Sequence, residues 1–195
     1  MVSLEATKKK YHGAMAKGYR AKRIKQLRWK LENDAVAKFL ENEKGSVLDV
    51  PCGEGRFLKL FVGLKLHPIM GVDASEEMLK LAAKRGWLAA ELENGDATKL
   101  RFASCEYDIA ICIRFLDLIP EGDMRAVVRE LCRIADRVVV LTIRLGPKYV
   151  AKSNTATHDE KKFLALLRQL DWRIIDRVPI FNAGWHVLKL VRREK

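Results

Sequence analysis

The sequence predicts a doubly wound α/β domain: a parallel sheet with helices on both faces, closed by an antiparallel β-hairpin. Three observations carry this. Short apolar runs alternate with amphipathic helical stripes along most of the chain. The first run, around Val47, Leu48 and Val50, ends in a turn holding Gly53 and Gly55, from which a helical pattern starts at once. The second run ends in an acid, Asp73, twenty positions after Gly53. Strand, glycine turn, helix, strand, acid is the plan by which a parallel sheet holds a nucleoside-bearing ligand at its carboxyl edge.

Taken in order, residues 14–43 read mainly as helix, with Ile24, Leu27, Leu31, Val36, Phe39 and Leu40 at helical spacing. The strand at 46–50 follows Gly45. After the glycine turn, Phe57, Leu60, Phe61 and Leu64 share a helical face, and His67-Pro68 leads into the strand Ile69–Asp73. Ser75 is an N-cap with Glu76 and Glu77 in the first turn and Gly86 beyond the end, which defines the next helix. A weaker strand is expected over 88–92. Tyr107-Asp108 opens a strand reaching Phe115, apolar almost throughout as a central parallel strand should be. A helix over 121–135 and a strand over 138–143 come next, then a loop over 145–156. Thr157 and Glu160 form a capping box for a helix with the stripe Phe163, Leu166, Leu167 and Leu170. Residues 172–178 and 186–191 read as the closing hairpin.

The chain has 195 residues, 49% hydrophobic and 32% charged, which suits one domain with a full core. No apolar run approaches ~20 residues, so no transmembrane segment is expected. The amino terminus lacks the apolar core of a secretory signal, and the four cysteines (52, 105, 112, 132) show no C-x-x-C spacing. A cytoplasmic location and no metal site are therefore expected. The net charge of +12 is uneven: residues 1–30 hold ten Lys and Arg against Glu5 alone. We read residues 1–44 as a basic helical extension or lid packing on the core, and 45–195 as the catalytic or binding domain.

The ligand is narrowed by what the turn lacks. A dinucleotide fold needs a third glycine for close helix–strand packing, but Leu58 or Arg56 occupies that place in either register. A phosphate-binding loop needs Gly-Lys-Ser/Thr, which is also missing. The text V-L-D-V-P-C-G-E-G, followed in order by acid-ended strand two, G-D-A (Gly95 to Ala97) and Y-D-I-A-I-C-I-R-F-L-D-L-I-P (107–120), resembles class I S-adenosylmethionine-dependent methyltransferases. The resemblance covers about residues 46–145 closely, and the closing hairpin also suits that family.

The resemblance implies a seven-stranded Rossmann-like methyltransferase sheet with S-adenosyl-L-methionine as cofactor. It implies that Asp49 orients the turn or meets the methionine amino group, with Pro51, Cys52, Gly53 and Gly55 beneath the methionine and ribose. Asp73, with Ala74 beside it, would hold the ribose hydroxyls, and Met78 would pack near the adenine. Asp96 and the Ala97 amide would meet the adenine edge, although Asp96 in N-G-D also suits a plain turn. Ile113 and Arg114 would close the methionine end, and Tyr19 and Arg28 would cap the cofactor from the lid. Pro51 departs from the usual glycine: it fixes φ near −65° and has no N–H to offer.

Methyl transfer is an in-line displacement and obliges no acid–base pair; if the acceptor needs a base, Asp117 is the first candidate and His158 the second. Tyr11, His12, Arg114 and Arg144 are candidate acceptor contacts, and the arginines suit an anionic acceptor. A small-molecule acceptor is favoured because N-P-P-Y, common in enzymes that methylate nucleic-acid amino groups, is absent after strand four. The basic segment leaves nucleic acid open as a partner, either as the substrate of an RNA methyltransferase or as the target of a catalytically silent binding protein. Decarboxylated S-adenosylmethionine is a further alternative. Composition is silent on oligomeric state.

Overall fold

The computed structural model describes residue 5 and residues 26–86, 89–151, 155–181 and 184–193. Helix α1 (Leu27–Leu40) leads into strand β1 (Val47–Asp49), α2 (Leu58–Gly63), β2 (Ile69–Asp73), α3 (Glu76–Ala83), β3 (Ala90–Asn94) and β4 (Tyr107–Cys112). A 3₁₀ turn at Leu116–Leu118 precedes α4 (Glu121–Ile134) and β5 (Ala135–Gly146). Two short strands, β6 (Val150–Ala151) and β7 (Ala156–Asp159), then α5 (Glu160–Gln169), β8 (Trp172–Ile180) and β9 (Trp185–Arg192) complete the described elements.

The main sheet runs β3-β2-β1-β4-β5-β9-β8. Its first five strands are parallel, and β9 lies antiparallel to both β5 and β8. This is the doubly wound sheet with a closing hairpin that the alternation predicts. Neighbouring residues of one strand face opposite layers. Leu48 packs in one core with α4 and α5 (Met124, Val128, Leu131, Phe163, Leu167), and Val47 in the other with α1 and α2 (Val36, Leu40, Leu58, Phe61). Both faces being covered, all five residues of β2 are buried. Among the described residues no helix is long and apolar enough to cross a membrane.

Several boundaries differ from the sequence reading, each for a physical reason. Strand β5 starts at Ala135, directly after α4, rather than at 138, because Asp136 and Arg137 extend it as exposed residues with no apolar signal. Its far end reaches Gly146 and pairs in parallel with β7 at Leu145 and Gly146. The expected loop over 145–156 thus contains β6 and part of β7, an antiparallel pair too short and, in β6, too exposed to leave a stripe. The capping box is not formed. Asp159 caps α5, its side chain accepting from the Lys162 amide at 3.0 Å, while Thr157 lies in β7 opposite Val150. Strand β3 sits at 90–94 instead of 88–92, at the sheet edge, with none of its residues buried. Strand β4 stops at Cys112, since Arg114 takes a positive φ of 62° that a strand cannot continue through. The predicted helix over 14–43 is described only from Leu27; its earlier part lies outside the described residues.

Candidate active site

The site is built at the carboxyl ends of β1, β2 and β4. Beyond β1 the backbone threads between its neighbours: the Val50 amide donates to Ile111 O at 2.9 Å and the Cys52 amide to Val72 O at 2.8 Å. The chain then turns through Gly53 (φ +57°) and Gly55 (φ +74°). These glycines do different jobs. A Cβ at Gly53 would meet no atom within 4 Å, so the backbone there borders open space, whereas one at Gly55 would stand 2.8 Å from Leu58 Cδ1. Gly55 thus serves the packing of α2 and does not line the cleft. Asp73 binds the turn to β2: its Oδ2 accepts from the Gly53 amide and its Oδ1 from the Ser75 amide, both at 2.8 Å. Ser75 in turn caps α3 by accepting from the Met78 amide.

These elements enclose a cleft of about 910 Å³, the open solvent at its mouth included. Among the described residues its wall contains Asp49, Pro51, Cys52, Gly53, Asp73, Ala74, Met78, Asp96, Ala97, Ile113 and Arg114, all singled out from the sequence. Asp49 is buried and its Oδ2 has no hydrogen-bond partner. Burial, and after it the nearby Asp73 charge, pushes its carboxyl well above the usual range, with Arg56 opposing. Burial and the same two acids push the Cys52 thiol up, so it stays protonated and is no nucleophile. Asp96 Oδ1 accepts from both the amide and the hydroxyl of Thr98, so this acid serves the N-G-D turn while it borders the cleft.

On the far side, the sequence reading missed a charged wall. Helix α1 brings Trp29 to the cleft and Glu32 into full burial. Glu32 accepts from Arg28 Nε at 2.6 Å and Arg56 Nη1 at 2.9 Å, with Arg114 Nη1 at 3.8 Å. Arg56 lies 3.7 Å over the Trp29 ring and donates to Trp29 O and Asn33 Oδ1. Phe57, Ser75, Phe115 and Leu118 also line the cleft. Arg56 stands beside the glycine turn and was visible there, but nothing in the sequence pairs it with a glutamate 24 positions earlier.

The remaining candidates lie behind this wall or outside the described residues. Tyr11, His12 and Tyr19 lie outside them. Asp117, buried in the turn after β4, accepts from Trp185 Nε1 at 3.0 Å. Arg28 and Arg144 stack on that indole, 4.7 and 4.2 Å from its centroid. His158 is fully buried in β7; its Nε2 donates to Leu116 O at 2.7 Å, which leaves Nδ1 as its basic atom, without a partner. Burial holds this imidazole below its ordinary pKa. Among the described residues no group of three or more His, Cys, Asp or Glu could hold a metal ion.

The sheet order with its closing hairpin is the Rossmann-like fold of class I S-adenosylmethionine-dependent methyltransferases. The family model described as "Methyltransferase domain" matches residues 47–137, from β1 to the start of β5. No curated protein matches the chain. Solved structures do. Magnesium protoporphyrin IX methyltransferase from Synechocystis PCC 6803 with bound S-adenosylhomocysteine matches at TM-score 0.75 and 18% identity, over 96% of this chain and 98% of that one. The 1,6-didemethyltoxoflavin-N1-methyltransferase of Burkholderia thailandensis, bound to its acceptor and S-adenosylhomocysteine, matches at 0.70 and 17%, over 93% and 85%. The [4+2]-cyclase SpnF matches at 0.69 and 16%, over 85% and 81%. At such identities these likenesses establish the fold.

The residues present fit the cofactor. The open space at Gly53 admits a ligand against the backbone, and the partnerless Asp49 oxygen in the cleft wall is an acceptor suited to an ammonium group.

Proposed function

We propose that the protein transfers the methyl group of S-adenosylmethionine to a small-molecule acceptor that lies beyond the end of β4. The observation that carries this reading is the buried wall of Trp29, Glu32, Arg56, Arg114 and Phe115, which closes the cleft on the acceptor side and favours a compact substrate over an extended one. Two structural neighbours whose names describe methylation of porphyrin or toxoflavin precursors support it.

When bound, S-adenosylmethionine supplies a methyl group already activated on a sulfonium, so the protein's part is alignment and the exclusion of water. Asp49 accepts from the ammonium. Asp73, held square by two amides, takes the ribose hydroxyls on its remaining lone pairs. Met78 and Ala97 pack on the adenine with Asp96 at its edge, and Ile113 and Arg114 close the methionine end. Arg144, stacked on Trp185 behind the wall, is not among the described residues that line the cleft. The division at residue 44 belongs to the same proposal: α1 packs on β8 and β9, and Lys189 Nζ donates to Phe39 O at 2.7 Å and pairs with Glu43.

Melting in the presence of S-adenosylmethionine, S-adenosylhomocysteine and NAD tests the donor half. A rise with the first two alone is expected, and a rise with NAD alone would sink the reading. Salt-sensitive RNA binding without methyl transfer to any small-molecule pool would favour the nucleic-acid alternative instead.

A further inference from the structure

Among the described residues five large apolar side chains are exposed: Leu27, Val62, Val150, Ile175 and Phe181. Chain direction brings three of them to one edge. Helix α1 leads into the start of β1, so its first residue, Leu27, lies at the carboxyl edge of the sheet with Trp29 of the cleft wall. Strand β8 runs with β5, both being antiparallel to β9, so Phe181, which follows its last residue, lies at that edge too. Val150 in β6 pairs with Thr157 of β7, whose neighbour His158 pairs with Leu145 near the end of β5. The hairpin turn flanks Leu145 from the other side, the Leu145 amide donating to Gly184 O at 2.9 Å. Val150 and Phe181 thus stand on either side of β5, at the edge on which the cleft opens. Val62 lies in the last turn of α2, which runs away from that edge.

Leu27 is 60% exposed and Phe181 46%. Phe181 also takes a φ of +61°, a left-handed backbone that glycine adopts freely and a bulky side chain does not. Neither the core nor the turn calls for an aromatic ring there, and such an outlier points to a role outside the fold. The charge is placed to match. Residues 1–30 hold ten Lys and Arg against Glu5 alone, and that stretch joins the fold through the amino end of α1, at this same edge. Lys148, close to Val150 in the chain, is exposed. Acids at this end of the sheet are already engaged, Glu160 by Arg177 at 2.6 Å, Glu121 by Lys162 at 3.2 Å and Asp159 by the Lys162 amide. Glu76 and Glu77 lie apart from them, in the first turn of α3 after β2.

RNA would take the cations, but Leu27 and Val150 offer its bases no stacking plane and no hydrogen bond. The margin of an anionic bilayer takes both features, apolar side chains entering among the acyl chains while Lys and Arg meet the headgroups. We propose that the carboxyl edge around the end of β5, through Leu27, Val150 and Phe181, docks the protein peripherally on an anionic lipid bilayer. Docking in this way turns the mouth of the cleft towards the lipid.

Cosedimentation of the full chain with vesicles of phosphatidylcholine and phosphatidylglycerol in equal parts tests this. Binding is expected at low salt. Partition should be at least about tenfold weaker into pure phosphatidylcholine, or in about 1 M salt, where screening shortens to about 3 Å. The double variant Leu27→Gln/Phe181→Asn removes apolar contacts without changing charge, and asparagine tolerates the φ of position 181. It is expected to lower partition about tenfold and to keep a melting transition like the parent's. Val62→Gln, which removes an exposed apolar group from the opposite edge, should bind as the parent does. If the double variant shows no melting transition, Phe181→Asn alone carries the comparison, with a loss of about threefold or more expected. No binding to the acidic vesicles, parent-like binding by the folded apolar variant, or an equal loss in Val62→Gln would overturn the proposal. So would tighter binding to poly(U) RNA than to the vesicles at the same salt.

Discussion

The Gly53 amide donates to Asp73 Oδ2 at 2.8 Å, so the turn after β1 and the acid ending β2 are one unit rather than two separate ligand contacts. The other oxygen of the same carboxylate takes the Ser75 amide and sets the start of α3. Replacing Asp73 by Ala removes two charge-assisted bonds, each worth about 1.5–3 kcal/mol. We expect a loss of melting temperature of roughly 6–24 °C for a chain of this size, and at least a tenfold loss of S-adenosylhomocysteine affinity by titration calorimetry. Unchanged affinity in the folded variant would remove Asp73 from the ligand.

The two glycines of the turn should separate in the same pair of measurements. Gly53→Ala places a methyl in open space at a φ that disfavours it, by about 1–2 kcal/mol, and should weaken ligand binding more than stability. Gly55→Ala drives a methyl towards Leu58 and should chiefly lower the melting temperature.

Glu32 is fully buried against two hydrogen-bonded arginines. Glu32→Gln removes the charge and leaves those guanidiniums less compensated, a change worth about 3–5 kcal/mol when a buried pair is broken. The urea midpoint should fall by an amount to match, with the slope unchanged. A variant as stable as the parent would mean that the arginines are neutralised elsewhere.

His158 predicts an acid-sensitive stability. Its folded pKa is lowered, chiefly by burial and against the opposing pull of the Leu116 carbonyl, Glu121 and Asp117. The unfolded chain therefore binds the proton more tightly. Its contribution is complete above about pH 6.5, the unfolded value, and is lost as pH falls towards the folded pKa. His158→Gln keeps an N–H for Leu116 O and should flatten the stability profile as pH falls below about 6.5. A profile with the same slope would assign that sensitivity to other groups.

Much of the donor half was legible because its signals are local. The run from Ile69 to Asp73, the Ser75 cap and the glycine turn each depend on a few adjacent residues, and their strand and helix lie where periodicity puts them. The opposite wall of the cleft and what lies behind it depend on distant pairs. Glu32 meets Arg56 only because α1 docks across the sheet edge, and Trp185 meets Asp117 across 68 positions. Thr157-x-x-Glu160 was misleading because Asp159, two positions nearer the helix, competes for the same cap. The short β6–β7 arm buries almost nothing in β6, and so left no pattern to read.

The backbone of the glycine turn has a consequence for ligand charge. Its amides at Val50, Cys52, Gly53 and Gly55 are all donated within the protein, and Pro51 has none. Asp49, Glu54 and Asp73 gather at the same turn, with Glu54 paired to Arg85. A phosphate loop does the reverse, turning bare N–H groups towards its ligand. Here the turn is an electronegative saddle, inhospitable to a pyrophosphate and suited to a ligand that arrives with ammonium and sulfonium charges.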